Sequence, residues 1–295
     1  MPRLSTVPVD GGDLAVAEWG EPGAPAVLAV HGVTSSHLAF QALARALPDV
    51  RVVAPDLRGR GGSASLPGPF GMRRHAADVG VVLDALGLGP LPVVGHSMGA
   101  FVAVALADAR PTAVTSLVLI DGGFPLALPD GVEPTPEVIE ALLGPAGDRL
   151  RMTFPDRDAY REFWRAHPAF VDNWSDDVER YVDYDLVGEP GALHPATPFA
   201  AMVGDQPDLY GPPWYLDALR RLRMPVTVFR APRGLVDDEG GLYAPGRIDG
   251  FAELVPQLRV VEVPDVNHYT VAMAQPGADR VAAAVRDALD HPAVA

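Results

Sequence analysis

Gly95-His96-Ser97-Met98-Gly99 fits the pattern G-x-S-x-G, with a serine between two glycines. The run Leu91 to Val94 before it reads as a strand, and the small-residue run after it (Ala100, Val102, Ala103, Val104, Ala105) reads as a helix. A sharp strand-to-helix turn holds a serine in a strained backbone conformation and exposes its hydroxyl at the carboxyl end of the sheet. The glycines on either side let neighbouring backbone approach where a Cβ would clash. Met98 then supplies a backbone N–H at a helix N-terminus, where positive partial charge stabilises an oxyanion. Ser97 is therefore expected to be a nucleophile, rather than an idle residue in a glycine-rich turn.

Two further groups could complete that chemistry. His31-Gly32-Val33 follows the apolar run Ala26 to Val30, and the N–H of Val33 is a candidate second oxyanion donor. His268 lies between the strand Leu258 to Val263 and the amphipathic helix Ala278 to Asp290, in a loop that can reach a serine as general base. Most of the 8 histidines carry no such context. His37, His75, His167, His194 and His291 are expected to be structural, and His31 and His96 to shape their turns.

Positioning these groups requires a sheet. After a hairpin signal at Asp10-Gly11-Gly12-Asp13 comes the strand Leu14 to Trp19. Short apolar runs then recur at Ala26 to Val30, Val50 to Ala54, Leu91 to Val94, Ser116 to Ile120, Val226 to Phe229 and Leu258 to Val263. Several are continuous rather than alternating, as in strands covered on both faces. Helical patterns lie between them: one capped by Ser36, one from Met72 to Leu86, one from Ser97, and Ala278 to Asp290. The alternation implies an α/β protein with right-handed crossovers. It breaks between Asp121 and Pro225, where helical patterns occur without a convincing strand: Pro136 to Leu143, Asp156 to His167, Asp176 to Tyr184, Thr197 to Val203 and Trp214 to Arg223. This segment is expected to be a helical insertion covering the sheet edge. The acidic run Asp172, Asp176, Asp177, Glu179, Asp183 and Asp185 within it reads as a solvated helix face.

Composition removes other chemistries. The chain has no cysteine, and all 23 basic residues are arginine. Disulfides, thiolate metal sites, a cysteine nucleophile and Schiff-base lysine chemistry are excluded. A net charge of −15 without any cationic cluster argues against nucleic-acid and anionic-membrane partners. The uncharged stretch 85–107 contains seven residues that interrupt a helix, including Gly87, Pro90, Pro92 and Gly95, so it reads as strand, turn and buried helix rather than a membrane span. Met1 to Asp10 holds no apolar core, so a secretory leader is not expected and a cytoplasmic location is. Neither a Gly-Lys-Ser/Thr phosphate loop nor an H-e-x-x-h metal motif occurs, and no metal or cofactor is expected.

In order along the chain, His31-Gly32, Asp56-Leu57-Arg58-Gly59-Arg60-Gly61-Gly62-Ser63, the Gly95 to Gly99 turn and His268 resemble the landmarks of α/β-hydrolase fold serine hydrolases. The resemblance covers nearly the whole chain. It implies an α/β-hydrolase core formed by 1–121 and 224–295, with an inserted helical cap at 122–223 and a mostly parallel sheet with helices on both faces. It also directs attention to the acid. Many relatives place it shortly after the strand matching Val226 to Phe229, where Asp237 is the candidate here at the cost of a small insertion. Others place it at the end of the strand after the nucleophile, where this chain has Asp121. Asp121 ends a fully apolar strand at the same sheet edge as Ser97, and it is preferred to Asp237. The expected activity is cofactor-free hydrolysis of a small apolar carboxylic ester or lactone by Ser97, His268 and Asp121, with Val33 and Met98 as oxyanion donors, in a monomer or homodimer. Carbon–carbon bond hydrolysis or perhydrolysis on the same residues is the alternative within enzymes, and a non-catalytic ligand-binding protein is the alternative outside them. A serine nucleophile disfavours dehalogenase and epoxide hydrolase chemistry, which needs a carboxylate.

Overall fold

The computed structural model describes residues 1–128, 132, 138 and 147–292. Its centre is an eight-stranded sheet in the order β1-β2-β4-β3-β5-β6-β9-β10. The strands are β1 (Arg3–Val9), β2 (Gly12–Trp19), β3 (Ala26–Val30), β4 (Arg51–Pro55), β5 (Leu91–His96), β6 (Val114–Ile120), β9 (Val226–Arg230) and β10 (Leu258–Glu262). β1 and β2 form the expected antiparallel hairpin, β2 pairs antiparallel with β4, and every later pairing is parallel.

The continuous apolar strands are covered twice. Leu28, Val30, Val53, Val93, Leu117 and Leu119 project into one buried cluster. Their neighbours Val27, Ala29, Val52, Val94, Val118 and Ile120 project into the other. This is the period of two expected of a strand buried on both faces. Helices α2 (Met72–Ala85) and α3 (Met98–Ala109) cover the first face. On the second face lie α1 (Gln41–Ala46), α8 (Thr270–Met273) and α9 (Gln275–Asp290), the last burying Val281, Ala282 and Val285. α3 is buried along most of its length, and Gly, Ala or Val fills most of its positions, which lets it pack closely on the sheet.

Between β6 and β9 lie α4 (Arg157–Arg165), α5 (Asp176–Asp185), α6 (Phe199–Leu209) and α7 (Pro213–Arg221). Asp156 caps α4 through the N–H of Ala159 at 2.8 Å, and Ser175 caps α5 through that of Val178 at 3.3 Å. The expected helix Pro136 to Leu143 lies, apart from Val138, outside the described residues. Two expectations need correction. The segment is not free of strand: β7 (Leu186–Val187) and β8 (His194–Pro195) form a short antiparallel ribbon. Nor is the acidic run a solvated face throughout: Asp172 and Asp176 are exposed, but the others are not. Asp177 is buried between Arg45 and Arg180, Asp183 pairs with Arg161, and Asp185 binds Arg149 and Tyr160. Sequence spacing displays the acids but not the arginines that fold back on them. Most aromatics here pack on one another, as Phe154, Tyr160, Phe163, Trp164 and Phe170 do.

Candidate active site

The β5–β6 register pairs His96 with Ile120, so the residues that follow, Ser97 and Asp121, leave the sheet side by side. Both have positive φ, 55° at Ser97 and 43° at Asp121. Backbone hydrogen bonds fix both turns, from Ser97 N to Ile120 O at 2.9 Å and from Asp121 N to Phe229 O at 2.8 Å. The glycines around Ser97 are required by close approach. A Cβ on Gly99 would lie inside contact distance of the Val30 and His31 carbonyls, and one on Gly95 would overlap Ala100.

The loop after β3 lies directly against the serine. A Cβ on Gly32 would be 3.1 Å from Ser97 Cβ and 3.6 Å from its Oγ. His31 shapes this loop as expected of a turn residue: Nε2 accepts from Leu57 N at 2.9 Å and Nδ1–H donates to the Gly32 carbonyl at 2.8 Å. Burial, chiefly, lowers its pKa to about 4, which keeps the ring in this neutral form. Among the described residues the N–H groups of Val33 and Met98 have no acceptor, and both residues line the cavity that Ser97 opens onto.

His268 Nδ1 lies 2.7 Å from Asp121 Oδ2. The carboxylate only accepts, so Nδ1 carries the proton and Nε2 is left with its lone pair. Asp121 is fully buried, and its other oxygen accepts from Ala231 N at 3.2 Å. The His268 carbonyl accepts from His96 Nε2 at 2.8 Å, and desolvation, mainly, lowers the His96 pKa to about 3. Asn267, which the sequence did not single out, fixes the loop: its Oδ1 accepts from the N–H groups of Tyr269 and Thr270, each at 3.0 Å, and its Nδ2 donates to Ala169 O at 2.9 Å. The structure thus brings Asp121, not Asp237, to the imidazole. Asp237 pairs with Arg233 at 2.7 Å and accepts from Asn267 Nδ2 at 3.1 Å; the Arg233 hydrogen bond, chiefly, holds its carboxyl below the usual range.

Ser97 and His268 share a cavity of about 330 Å³. Its wall is mainly apolar, with Met98, Phe101, Leu126, Met202, Leu209 and Leu242. Tyr181 and Tyr210, from the segment between β6 and β9, also line it. Among the described residues Ser97 Oγ has no hydrogen-bond partner. A larger groove of about 420 Å³, between β6, β9, β10 and α9, contains neither Ser97 nor His268.

A fully buried network ties this site to α6. Arg60 donates to the Val33 carbonyl at 2.8 Å and binds Asp205. Asp205 also accepts from His75 at 2.9 Å and from Gly71 N at 2.6 Å. Burial would raise the Asp205 pKa, but the charge of Arg60 and the contacts of His75 outweigh it and hold the carboxyl below its ordinary value. Nothing in the spacing of these residues announces the network, because its partners lie on different elements.

The chain belongs to the α/β-hydrolase fold family, whose model matches residues 25–194. The lipase LipV of Mycobacterium tuberculosis is 40% identical over 131 residues, 44% of this chain and 48% of the lipase, so the chain spans about half of that relative's length. N-formylmaleamate deformylase of Pseudomonas putida is 29% identical over 91% of this chain and 90% of its own. The crystal structure of E-2-(acetamidomethylene)succinate hydrolase shares the fold with a TM-score of 0.79, at 24% identity over 99% of this chain and 100% of that one. Among the described residues no helix is long and apolar enough to cross a membrane.

Proposed function

We propose that this protein is a serine hydrolase that cleaves a carboxylic ester or lactone through an acyl-enzyme. The observation that carries the reading is the 2.7 Å contact of His268 Nδ1 with buried Asp121, opening on the cavity that holds Ser97 at positive φ. As substrate fills the cavity, Ser97 Oγ forms a bond to the scissile carbonyl carbon while its proton passes to His268 Nε2. The carbonyl π electrons move to oxygen, and the N–H groups of Val33 and Met98 bind the resulting anion. Asp121 holds the Nδ1–H tautomer and stabilises the imidazolium. Collapse breaks the bond to the alkoxide, which takes the proton from Nε2. Water then attacks the acyl carbon as Nε2 takes its proton, and the bond to Ser97 Oγ breaks as that proton passes to Oγ, which releases the acid and restores the serine. The segment 122–223 acts as a helical cover, contributing Tyr181, Met202 and Leu209 to the pocket.

The test is Ser97→Ala assayed on short p-nitrophenyl esters, with fluorophosphonate labelling of the parent. Loss of turnover and of labelling with an unchanged fold is the expected result; parental turnover in the variant rejects the reading. A second reading is amide or other acyl-bond cleavage by the same residues. It is favoured by the deformylase, which matches over 90% of its length. Parallel assays of matched esters and N-formyl amides separate the two.

A further inference from the structure

Besides Ser97 and His96, the cavity holds a further polar side chain that the reaction does not use. Gln206 is 5% exposed and lines the pocket, and among the described residues its amide has no hydrogen-bond partner. An amide on the cavity wall whose hydrogen-bonding capacity the protein does not use is available to a ligand that enters the cavity. The helix that carries it is anchored on both sides of it. Asp205, one residue earlier on α6, is held by Arg60, His75 and Gly71 N. Asp208, two residues later, accepts from Met72 N at 2.8 Å and from Trp214 Nε1 at 3.3 Å. The backbone at Gln206 is thereby held in place beside the cavity, which lowers the ordering cost of binding.

We infer that Gln206 is the specificity-determining residue of this cavity, and that it hydrogen-bonds an uncharged polar group (a ketone, amide or hydroxyl) carried by the substrate away from the scissile bond. The inference rests on the hydrolytic reading above and adds the substrate class. A carboxylate fits poorly in place of that group. Among the described residues no arginine lines the cavity, and of its two histidines His96 stays neutral and His268 is engaged by Asp121. A desolvated carboxylate there would lack a counter-charge.

The experiment compares kcat/KM for p-nitrophenyl esters of straight-chain acids with esters of the same acids bearing a ketone at successive positions, and with half-esters of the matching diacids. The parent protein is expected to favour the keto ester over its alkyl counterpart by roughly tenfold at the best position, and the half-ester least. In Gln206→Met, which keeps the side-chain length, the keto-to-alkyl ratio is expected to fall to about one. A parental ratio near one at every position, a ratio that survives in Gln206→Met, or half-esters turned over as fast as keto esters overturns the inference. Should the variant not fold, the parental ratios still decide. Failure of the hydrolytic reading looks different: Ser97→Ala then retains turnover, and the keto-to-alkyl ratio is read instead from the Kd of the corresponding amides.

Discussion

Acid should unfold this protein in a pH window set by two buried histidines. His31 cannot take a second proton without opposing N–H groups, because Leu57 N–H already points at Nε2. His96 donates from Nε2 to the His268 carbonyl, and its Nδ1 is buried without a partner among the described residues, so protonation there creates an unsolvated charge. Their folded pKa values, about 4 and about 3, lie below the ordinary 6.5. Below pH 6.5 the unfolded chain therefore binds protons that the folded chain refuses, and stability falls as pH falls. Each site contributes roughly 1.4 kcal/mol per pH unit across that window. Between pH 6.5 and 4.5 the pair together removes about 5 kcal/mol, a large part of the 5–15 kcal/mol typical of a whole domain.

His167, whose pKa burial also lowers, acts with the same sign. The carboxylates act later. Asp56 and Asp205 have folded pKa values below 3.8, so their stabilisation is present above that value and is lost as pH falls further. Urea unfolding at steps from pH 7.5 to 4.5 measures the slope. His31→Gln, whose amide oxygen can still accept from Leu57 N–H, should remove about half of it. A midpoint that stays constant from pH 7 to 5, or a slope indifferent to this substitution, refutes the reasoning.

Replacing Asp121 by Asn should lower kcat by about four orders of magnitude by fixing the wrong imidazole tautomer, whereas Asp237→Asn should cost less than tenfold; steady-state kinetics of the two variants decides. Asp205→Ala should destabilise by roughly 3–5 kcal/mol in chemical denaturation, since it strands the buried Arg60 guanidinium. It should also lower kcat, because the freed Arg60 is the group that holds the Val33 carbonyl. Gly99→Ala should yield a protein without turnover and with a markedly lower Tm, because its Cβ enters the space of the Val30 carbonyl.

How much of this was legible in the sequence follows from where each signal is stored. The strands around Ser97 are short continuous apolar runs, and the turn between β5 and α3 needs glycine at fixed offsets, so local spacing reveals them. Helix starts were legible where a side chain caps its own helix, as Asp156 and Ser175 do. The helical pattern of α6 reads only as far as Val203, because Pro207 is a breaker in sequence terms, yet the helix runs through it to Leu209. The choice between Asp121 and Asp237 could be ordered but not closed from sequence, since it depends on which carboxylate the His268 loop reaches across the sheet edge. Gln206 carries no signal in the sequence. A lone glutamine has no motif, and its meaning comes only from the cavity in front of it and the pinned aspartates beside it.

The backbone at Ser97 allows a last test of whether the site is held under strain. φ of 55° with ψ of −123° is sparsely populated for any residue with a Cβ. Such a residue costs about 1–3 kcal/mol, and glycine relieves it. Glycine also adds unfolded-state entropy, which costs roughly 0.4–1 kcal/mol relative to alanine. The relief exceeds the entropy over most of this range, so Ser97→Gly should be more stable than Ser97→Ala although neither retains the hydroxyl. Alanine is the proper reference because it removes the oxygen and keeps the Cβ. If thermal unfolding finds Ser97→Gly no more stable than Ser97→Ala, the turn is relaxed, and the serine owes its exposure to the packing of Gly95 and Gly99 rather than to stored strain.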